Sequence, residues 1–176
     1  MKQSIIFVFL FIFFGSASAQ LHPVAKGSEV VFTVKNFGFN VHGKLGTPEG
    51  EIKFIPDNIG ASFFHITIKS ESINTDNSMR DEHLVAGDYF DSKNYPLIRF
   101  ESEQIRAVNK KGGFEAVGKL TIKKTTREIK MPFTAVKSGD GYQFTGSFKL
   151  NRKDYEIGGS STISNEVMVE IKVTAQ

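Results

Sequence analysis

The chain of 176 residues contains no cysteine and no tryptophan, and its charges nearly balance. Without cysteine, disulfides and thiolate metal sites are excluded, and we expect no lipoprotein anchor. The formal net charge of +3 is too small to indicate nucleic-acid binding. The lysines are also dispersed, and two pairs, Lys110-Lys111 and Lys123-Lys124, stand where turns are expected. We therefore expect no nucleic-acid partner and no cofactor.

Long apolar runs are also scarce. The run over residues 5–14 has ten apolar residues, about half of what a membrane-spanning helix needs. The small-residue triplet Ala17-Ser18-Ala19 follows, as at a signal-peptidase cleavage site. We expect residues 1–19 to be a cleavable signal peptide, with no integral membrane span and a periplasmic or secreted product. Removing 19 of the 176 residues leaves 157, with a net charge of +2, and predicts a single domain over residues 20–176.

From residue 28 onward the sequence alternates between apolar and polar side chains. Val30, Phe32 and Val34 share one parity, and similar alternation recurs near residues 52–54, 64–68, 98–100, 120–122, 129–131, 144–148 and 167–173. A period of two predicts half-buried strands. Turn signals lie at 46–48, 56–58, 109–113, 138–141 and 158–160. The pattern predicts eight or nine antiparallel strands, depending on whether residues 35–38 bend one strand or join two, in a closed barrel or a sandwich.

An outer-membrane barrel would show the same alternation. It would also carry aromatic girdles at both ends of its strands. This chain has four tyrosines and no tryptophan, and its phenylalanines stand in mid-strand. These features argue against such a barrel, although alternation alone does not exclude a small pore.

Three predicted strands place a glycine on the inward, apolar parity: Gly43, Gly118 and Gly146. A glycine within a strand marks either a bend or a place of close approach, or it leaves space in the lumen. Twelve phenylalanines lie beyond residue 19, and ten are assigned to the inward face: Phe32, Phe37, Phe39, Phe54, Phe64, Phe100, Phe114, Phe133, Phe144 and Phe148. Glycines beside large aromatics favour a shaped hydrophobic channel, and a solid core is the alternative.

The most charged stretch covers residues 78–102. Ser78 and Asp81 have capping-box spacing, which predicts a short helix over residues 79–86. His83, Asp88 and Asp91 are metal-ligand types, but no second histidine lies nearby, so no metal site is expected. The favoured interpretation is a structural network of the charged loop, comprising Arg80, Asp81, His83, Asp88 and Asp91. The alternative is a hydrolase that uses His83 with Asp81 or Asp88.

The same stretch resembles the signature of the YceI-like family. The resemblance rests on Arg80-Asp81, His83-Leu84, Asp88-Tyr89-Phe90-Asp91, Tyr95-Pro96, Phe100-x-Ser102, Val41-x-Gly43, Gly118-x-Leu120-Thr121-Ile122 and Asn151-Arg152-x-Asp154-Tyr155. Two departures stand out: Asn36 replaces a common histidine, and Leu45 replaces a common aromatic. If that histidine contacts a ligand head group in relatives, Asn36 would change which head group is accepted.

The resemblance implies an all-β, lipocalin-like, closed antiparallel barrel of about eight strands. It implies a periplasmic or secreted protein that binds a polyisoprenoid, an isoprenoid quinone or another long-chain lipid for storage, transport or sensing. The expected lumen residues are Phe32, Val34, Phe37, Phe39, Val41, Phe54, Phe64, Ile66, Ile98, Phe100, Phe114, Leu120, Ile122, Met131, Phe133, Phe144, Phe148, Val169 and Ile171. The alternatives are the hydrolase and a solid-core stress or interaction protein of the envelope. An exposed strand edge could also pair two copies as a homodimer.

Overall fold

The protein is described from a computed structural model, which covers residues 20–108, 112–159 and 162–176. The predicted signal peptide, residues 109–111 of one predicted turn and residue 160 of another lie outside these ranges. Within the described residues the chain forms nine strands and one α-helix. They are β1 (Pro23–Asn36), β2 (Phe39–Leu45), β3 (Glu49–Lys53), β4 (Phe63–Lys69), α1 (Ser78–Val85), β5 (Leu97–Ala107), β6 (Gly113–Ile122), β7 (Thr125–Ser138), β8 (Gly141–Asn151) and β9 (Ile163–Ala175).

All nine strands belong to one antiparallel sheet, in the order β2-β1-β9-β8-β7-β6-β5-β4-β3. The predicted all-β, antiparallel, lipocalin-like fold with one short helix is confirmed. The strand number resolves to nine because Phe37 and Gly38 form a turn that separates β1 from β2. The sheet curls, so that the segment before β1 reaches β3, while the outer edge of β2 is bridged at Lys44 by Asn74.

A short backbone bridge joins these two sides of the curled sheet. Leu21, which precedes β1, exchanges two backbone hydrogen bonds of 2.8 Å with Ile52 of β3. Nearby, the ring Nδ1 of His22 lies 2.9 Å from the carbonyl oxygen of Gly50. The bridge joins the segment before β1 to β3 near the end at which β1 begins and β9 ends.

The inward glycines stand where neighbouring groups approach the backbone. A Cβ at Gly118 would lie 2.3 Å from the carbonyl oxygen of Glu101, and a Cβ at Gly146 would lie 2.4 Å from that of Pro132. At Gly43 the space is taken by the Phe32 ring, whose Cζ would be 2.3 Å from a Cβ. These glycines therefore permit close packing within the curved wall, and they do not leave open lumen space.

An aromatic floor closes the end of the barrel where β6 and β8 begin. The Phe54 ring lies at its centre, with centroids 5.2 Å from Phe114, 5.0 Å from Tyr142 and 5.2 Å from Phe144, all edge to face. Phe133 stacks on Phe114 at 5.4 Å. Edge-to-face and stacked rings are the arrangements that aromatic quadrupoles favour, so this floor is a rigid plug.

The helix α1 lies at the opposite end of the barrel and begins one residue earlier than predicted. Its N-cap is therefore Asn77, whose side-chain oxygen accepts a 3.0 Å hydrogen bond from the backbone N–H of Arg80. The predicted capping box of Ser78 with Asp81 is wrong, because Ser78 is already inside the first turn. Among the described residues, no helix has the length and apolar character needed to cross a membrane.

Candidate functional site

The curled sheet encloses a cavity of about 480 Å³ between its inner faces. Its wall is almost entirely aliphatic and aromatic. Fifteen of the nineteen expected lumen residues line it: Phe32, Val34, Val41, Phe64, Ile66, Ile98, Phe100, Leu120, Ile122, Met131, Phe133, Phe144, Phe148, Val169 and Ile171. The barrel therefore has an unfilled interior, which argues against the solid-core alternative.

The register of the strands explains why these side chains face the same cavity. Phe32 of β1 lies directly opposite Val169 of β9, which in turn lies opposite Phe148 of β8. Since residues opposite one another in a ladder point to the same face, the three form a row across the inner wall. Along β9, lining residues extend from Ile163 to Val173. A strand rises about 3.3 Å per residue, so this stretch is roughly 33 Å long. The cavity is thus elongated along the barrel.

Four expected lumen residues lie elsewhere. Phe54 and Phe114 point inward but belong to the aromatic floor, where neighbouring rings cover them. Phe37 and Phe39 are exposed, with 73% and 78% of their surface accessible to solvent. Phe37 lies in the turn after β1 with φ of 49°, and Phe39 is the first residue of β2, so neither reaches the enclosed part of the wall.

Among the described residues, the polar side chains that line the cavity belong to the end of β1, to α1 and the segment before it, and to the turn after β8; we call this region the mouth. They are Asn36, Thr75, Asn77, Arg80, His83 and Arg152. Asn36 ends β1, Arg152 follows β8, and the others lie on or just before α1. The cavity is therefore apolar along its length and polar at one end, which matches a ligand with a long tail and a small head group.

Arg80 and Asp81 are joined through Thr75, a buried residue that precedes the helix. The Arg80 side chain donates to the Thr75 hydroxyl at 2.7 Å through Nε and to the Thr75 carbonyl at 2.8 Å through Nη2. The Asp81 carboxylate accepts from the Thr75 hydroxyl at 2.6 Å and from its backbone N–H at 2.9 Å. This network fixes the first turn of α1 against the barrel.

His83, Asp88 and Asp91 do not belong to that network, which corrects the predicted grouping. Within the described part of the chain, the side chains of His83 and Asp88 make no hydrogen bond, and no ion pair joins His83 to Asp81 or Asp88. The Asp91 carboxylate accepts from the side-chain amide of Asn94 at 2.9 Å, within its own turn. His83 instead lies at the rim of the mouth, where its side chain is exposed.

The buried guanidinium of Arg152 organises the loop between β8 and β9. Its Nη1 donates to the carbonyls of Ile157 at 2.6 Å and Gly158 at 2.9 Å, and its Nη2 donates to Ile163 at 2.9 Å. Its Nε donates to the carbonyl of Ser164 at 2.9 Å. A planar group with five donors suits this task, since it can donate to several backbone carbonyls of the loop at once.

The loop after α1 contacts the loop between β8 and β9 beside the mouth. The backbone N–H of Gly158 donates to the carbonyl of Asp88 at 2.8 Å. The Lys123 ammonium lies 3.3 Å from the carbonyl of Gly87 and 3.2 Å from that of Glu156, so it links both loops to the turn between β6 and β7. The mouth is therefore covered by two loops with defined ties.

Sequence reasoning missed several mouth residues, including Thr75, Asn77, Met79, Tyr89 and Phe90. These residues lie in a helix and in turns, where apolar and polar side chains do not alternate, so strand parity could not predict which of them face the cavity. Arg152 was part of the quoted family motif, but no role followed from its type or spacing. Among the described residues, no group of three or more histidines and carboxylates could hold a metal ion.

The sequence profile of the YceI-like domain matches residues 22–175. The chain belongs to the YceI-like family. Its relatives include a UPF0312 protein of Pseudomonas aeruginosa, 28% identical over 153 residues that cover 81% of this chain and 79% of the relative. A UPF0312 protein of Vibrio cholerae is 29% identical over 154 residues, covering 81% and 80% of the two chains.

Several solved structures share the fold. BcnA of Burkholderia cenocepacia superposes with a TM-score of 0.78 at 24% identity, over 83% of this chain and 94% of the other. The YceI protein of Campylobacter jejuni gives a TM-score of 0.70 at 25% identity, over 78% and 86%. A polyisoprenoid-binding domain of Saccharophagus degradans, implicated in plant cell wall breakdown, gives 0.68 at 11% identity, over 90% and 98%.

Proposed function

We propose that this YceI-like protein binds one long-chain apolar lipid, of the polyisoprenoid or isoprenoid-quinone type, inside the barrel. The tail lies against the aromatic floor and the head group lies at the mouth. The observation that carries the proposal is the unfilled cavity of about 480 Å³ with an apolar wall and a single polar end. Its volume falls within the range of about 300–1,000 Å³ that is typical of small-molecule sites.

The chemistry of the wall favours a hydrocarbon ligand. An apolar cavity of this kind stays free of ordered water, so a tail can enter without displacing bound solvent. Each buried methylene contributes up to about 0.8 kcal/mol. Affinity therefore comes from the tail, and the few polar groups at the mouth select the head.

The comparisons support the proposal at the level of fold. The Saccharophagus degradans domain is described as polyisoprenoid-binding, and its architecture matches this chain over 90% of its length. The tail-binding assignment for the present chain rests on its own cavity.

The expected signal peptide over residues 1–19 favours a mature protein in the periplasm or outside the cell. There a lipid carrier would store, transport or sense a molecule that water does not dissolve. We infer that the protein acts in or near the cell envelope.

A binding role accounts for the site better than a catalytic role. The hydrolase alternative needs His83 to be oriented by Asp81 or Asp88. In the structure the Asp81 carboxylate is committed to Thr75, and His83 lies at the rim of an apolar cavity.

The proposal is tested by enlarging one side chain that lines the cavity, so that it occupies the space of the lipid tail. Val169→Phe adds a ring to the row formed by Phe32 and Val169, whereas Met168→Phe adds the same ring to the outer face, where Met168 lies opposite Thr33 and Lys149. Native mass spectrometry and solvent extraction, on protein purified from its own host, measure the bound lipid. We expect lipid in the wild type and in Met168→Phe, and little in a folded Val169→Phe. Lipid-free wild type that binds no added long-chain lipid would overturn the proposal.

A further inference from the structure

The turn between β1 and β2 carries two exposed aromatic rings beside the mouth of the cavity. Phe37 and Phe39 have 73% and 78% of their surface accessible to solvent. The backbone N–H of Phe37 donates a 3.0 Å hydrogen bond to the carbonyl of Thr162, which fixes the turn beside the start of β9. Asn36 precedes Phe37, Ile163 follows Thr162, and both line the cavity. The two rings therefore stand at the rim of the mouth.

The strand register shows that Phe39 extends the apolar wall beyond its enclosed part. Val41 of β2 lies opposite Val34 of β1, and both line the cavity. Phe39 lies opposite Asn36, two residues nearer the mouth and on the same face of the ladder. Its ring is exposed, so apolar surface continues from the wall of the cavity to the outside of the barrel.

The segment 36–40, which we call the rim turn, carries no charged residue. Gly38 at its tip has a φ of 83°, and apart from its chain neighbours nothing lies within 4 Å of the place that a Cβ would take. The turn therefore projects into solvent. By contrast, α1 and the segment before it carry Asp76, Arg80 and Glu82. Adjoining apolar side chains that are exposed mark an interaction surface, so the rim turn is the part of the mouth suited to an apolar partner.

The proposed ligand indicates what this partner is. A long-chain lipid remains in a bilayer, because each methylene that is moved into water lowers the concentration of the lipid there about fourfold. A carrier that had to collect its ligand from water would therefore load very slowly. A carrier whose mouth touches the bilayer offers the tail an apolar route from the membrane to the cavity.

We propose that the rim turn docks the mouth of the barrel on a lipid bilayer by inserting the rings of Phe37 and Phe39 among the lipids. The ligand then passes directly between the membrane and the cavity. This inference rests on the proposed lipid-binding function and adds the surface from which the ligand is taken.

The first test measures binding to vesicles of phosphatidylethanolamine and phosphatidylglycerol by flotation. It uses the chain from residue 20 onward, which contains the whole described fold. The wild type should float with the vesicles, also in about 0.5 M salt, because salt screens charges and leaves apolar insertion intact. Replacing both Phe37 and Phe39 by serine should lower the affinity about tenfold or more, as loss of buried aromatic surface implies.

Two control variants separate apolar insertion from other effects of substitution. Replacing both Phe37 and Phe39 by leucine keeps the rim turn apolar and should largely retain vesicle binding. Val136→Ser removes an apolar side chain that is 65% exposed on β7, near the aromatic floor and away from the mouth. This variant should float like the wild type.

The second test measures lipid transfer with diphenylhexatriene, a fluorescent hydrocarbon that has no polar atom. The probe is placed in vesicles with a quencher-labelled phospholipid that stays behind, so fluorescence rises as the probe moves to the protein. Transfer by contact should become faster as the protein concentration is raised, and the double serine variant should be about tenfold slower. The same variant should bind the probe normally when it is added from ethanol, since neither ring lines the cavity.

The outcomes distinguish this inference from the function on which it rests. If the wild type binds neither diphenylhexatriene nor geranylgeraniol added from ethanol, the lipid-binding function itself fails. If it binds them but does not float, floats only at low salt, or floats no better than the double serine variant, the inference alone fails. A transfer rate that is independent of protein concentration also overturns it. So does sedimentation that shows a wild-type dimer and a monomeric double serine variant, because a second copy would then cover the rim turn.

Discussion

The backbone N–H of Gly158 donates a 2.8 Å hydrogen bond to the carbonyl oxygen of Asp88. This contact ties the loop after β8 to the loop after α1, and the two loops together cover the mouth of the cavity. Gly158 has a φ of 62°, and a Cβ at this position would lie 2.6 Å from Cε1 of Tyr89. The tie therefore depends on a residue without a side chain.

Replacing Gly158 by alanine should loosen this cover. The left-handed conformation costs a residue with a Cβ about 1–2 kcal/mol, and the Tyr89 ring must also move. We expect a lower melting temperature and faster amide hydrogen exchange in both loops. Gly159→Ala is the matched control, since a Cβ there meets nothing within 4 Å. Equal effects of the two substitutions would contradict the assigned role of Gly158.

Replacing Arg152 by methionine should destabilise the whole domain. The change leaves the carbonyls of Ile157 and Ile163 without their donor in a buried setting, for which we expect a loss of about 2–4 kcal/mol in the free energy of unfolding. Arg152→Lys should recover only part of this, because one ammonium cannot reach all of these carbonyls. Urea denaturation measures both, with Arg99→Lys at an exposed position as the control. A loss below about 1 kcal/mol for Arg152→Met would show that the loop does not need the guanidinium.

Tyr155 offers a test through alkaline pH. Its hydroxyl is buried without a partner among the described residues, and burial, with a smaller contribution from Asp154, raises its pKa from 10.0 to about 12. The folded protein thus holds this proton more tightly than the unfolded chain does. Stability from this group is complete below pH 10 and is lost as the pH rises towards 12.

The variant Tyr155→Phe should lack the part of the stability loss at alkaline pH that comes from ionisation of Tyr155. At neutral pH it should be as stable as the wild type or up to about 1 kcal/mol more stable, because no hydrogen bond is broken. Thermal unfolding at a series of pH values measures both effects. Parallel alkaline curves for the two proteins would show that another group controls the loss.

The length of the cavity should appear in a series of straight-chain alcohols. Each added methylene should tighten binding by up to about fourfold while it finds new wall to contact. The increase should stop once the chain reaches the aromatic floor. Displacement of diphenylhexatriene measures the series. Affinity that rises without a plateau would indicate binding outside an enclosed cavity.

Fifteen of the nineteen residues chosen largely by strand parity line the cavity. Strand parity identified rows such as Phe32, Val169 and Phe148, because each residue lies within a continuous ladder where alternate side chains face the same way. It was wrong at Phe37 and Phe39, where the chain reverses and the alternation has no ladder to follow. Parity also cannot separate a residue that lines a cavity from one that packs into a plug, as Phe54 and Phe114 show.

The mouth was less predictable than the wall. Its residues come from α1, from two loops and from strand ends, and their positions depend on long-range contacts such as Arg152 with Ile163. The charged stretch was interpreted as a structural element, and Arg80 with Asp81 act in that way through Thr75. His83 lies exposed at the rim of the cavity because of how α1 packs, which its sequence spacing does not reveal.

The bridge between Leu21 and Ile52 has a mechanical consequence for the wall. Eight ladders of paired strands hold the sheet together, whereas the contact between the segment before β1 and β3 consists of two backbone hydrogen bonds and the His22–Gly50 contact. Because Ile52 lies two residues before Phe54, loss of this bridge would release the end of β3 that carries the centre of the aromatic floor, while the eight ladders stay paired.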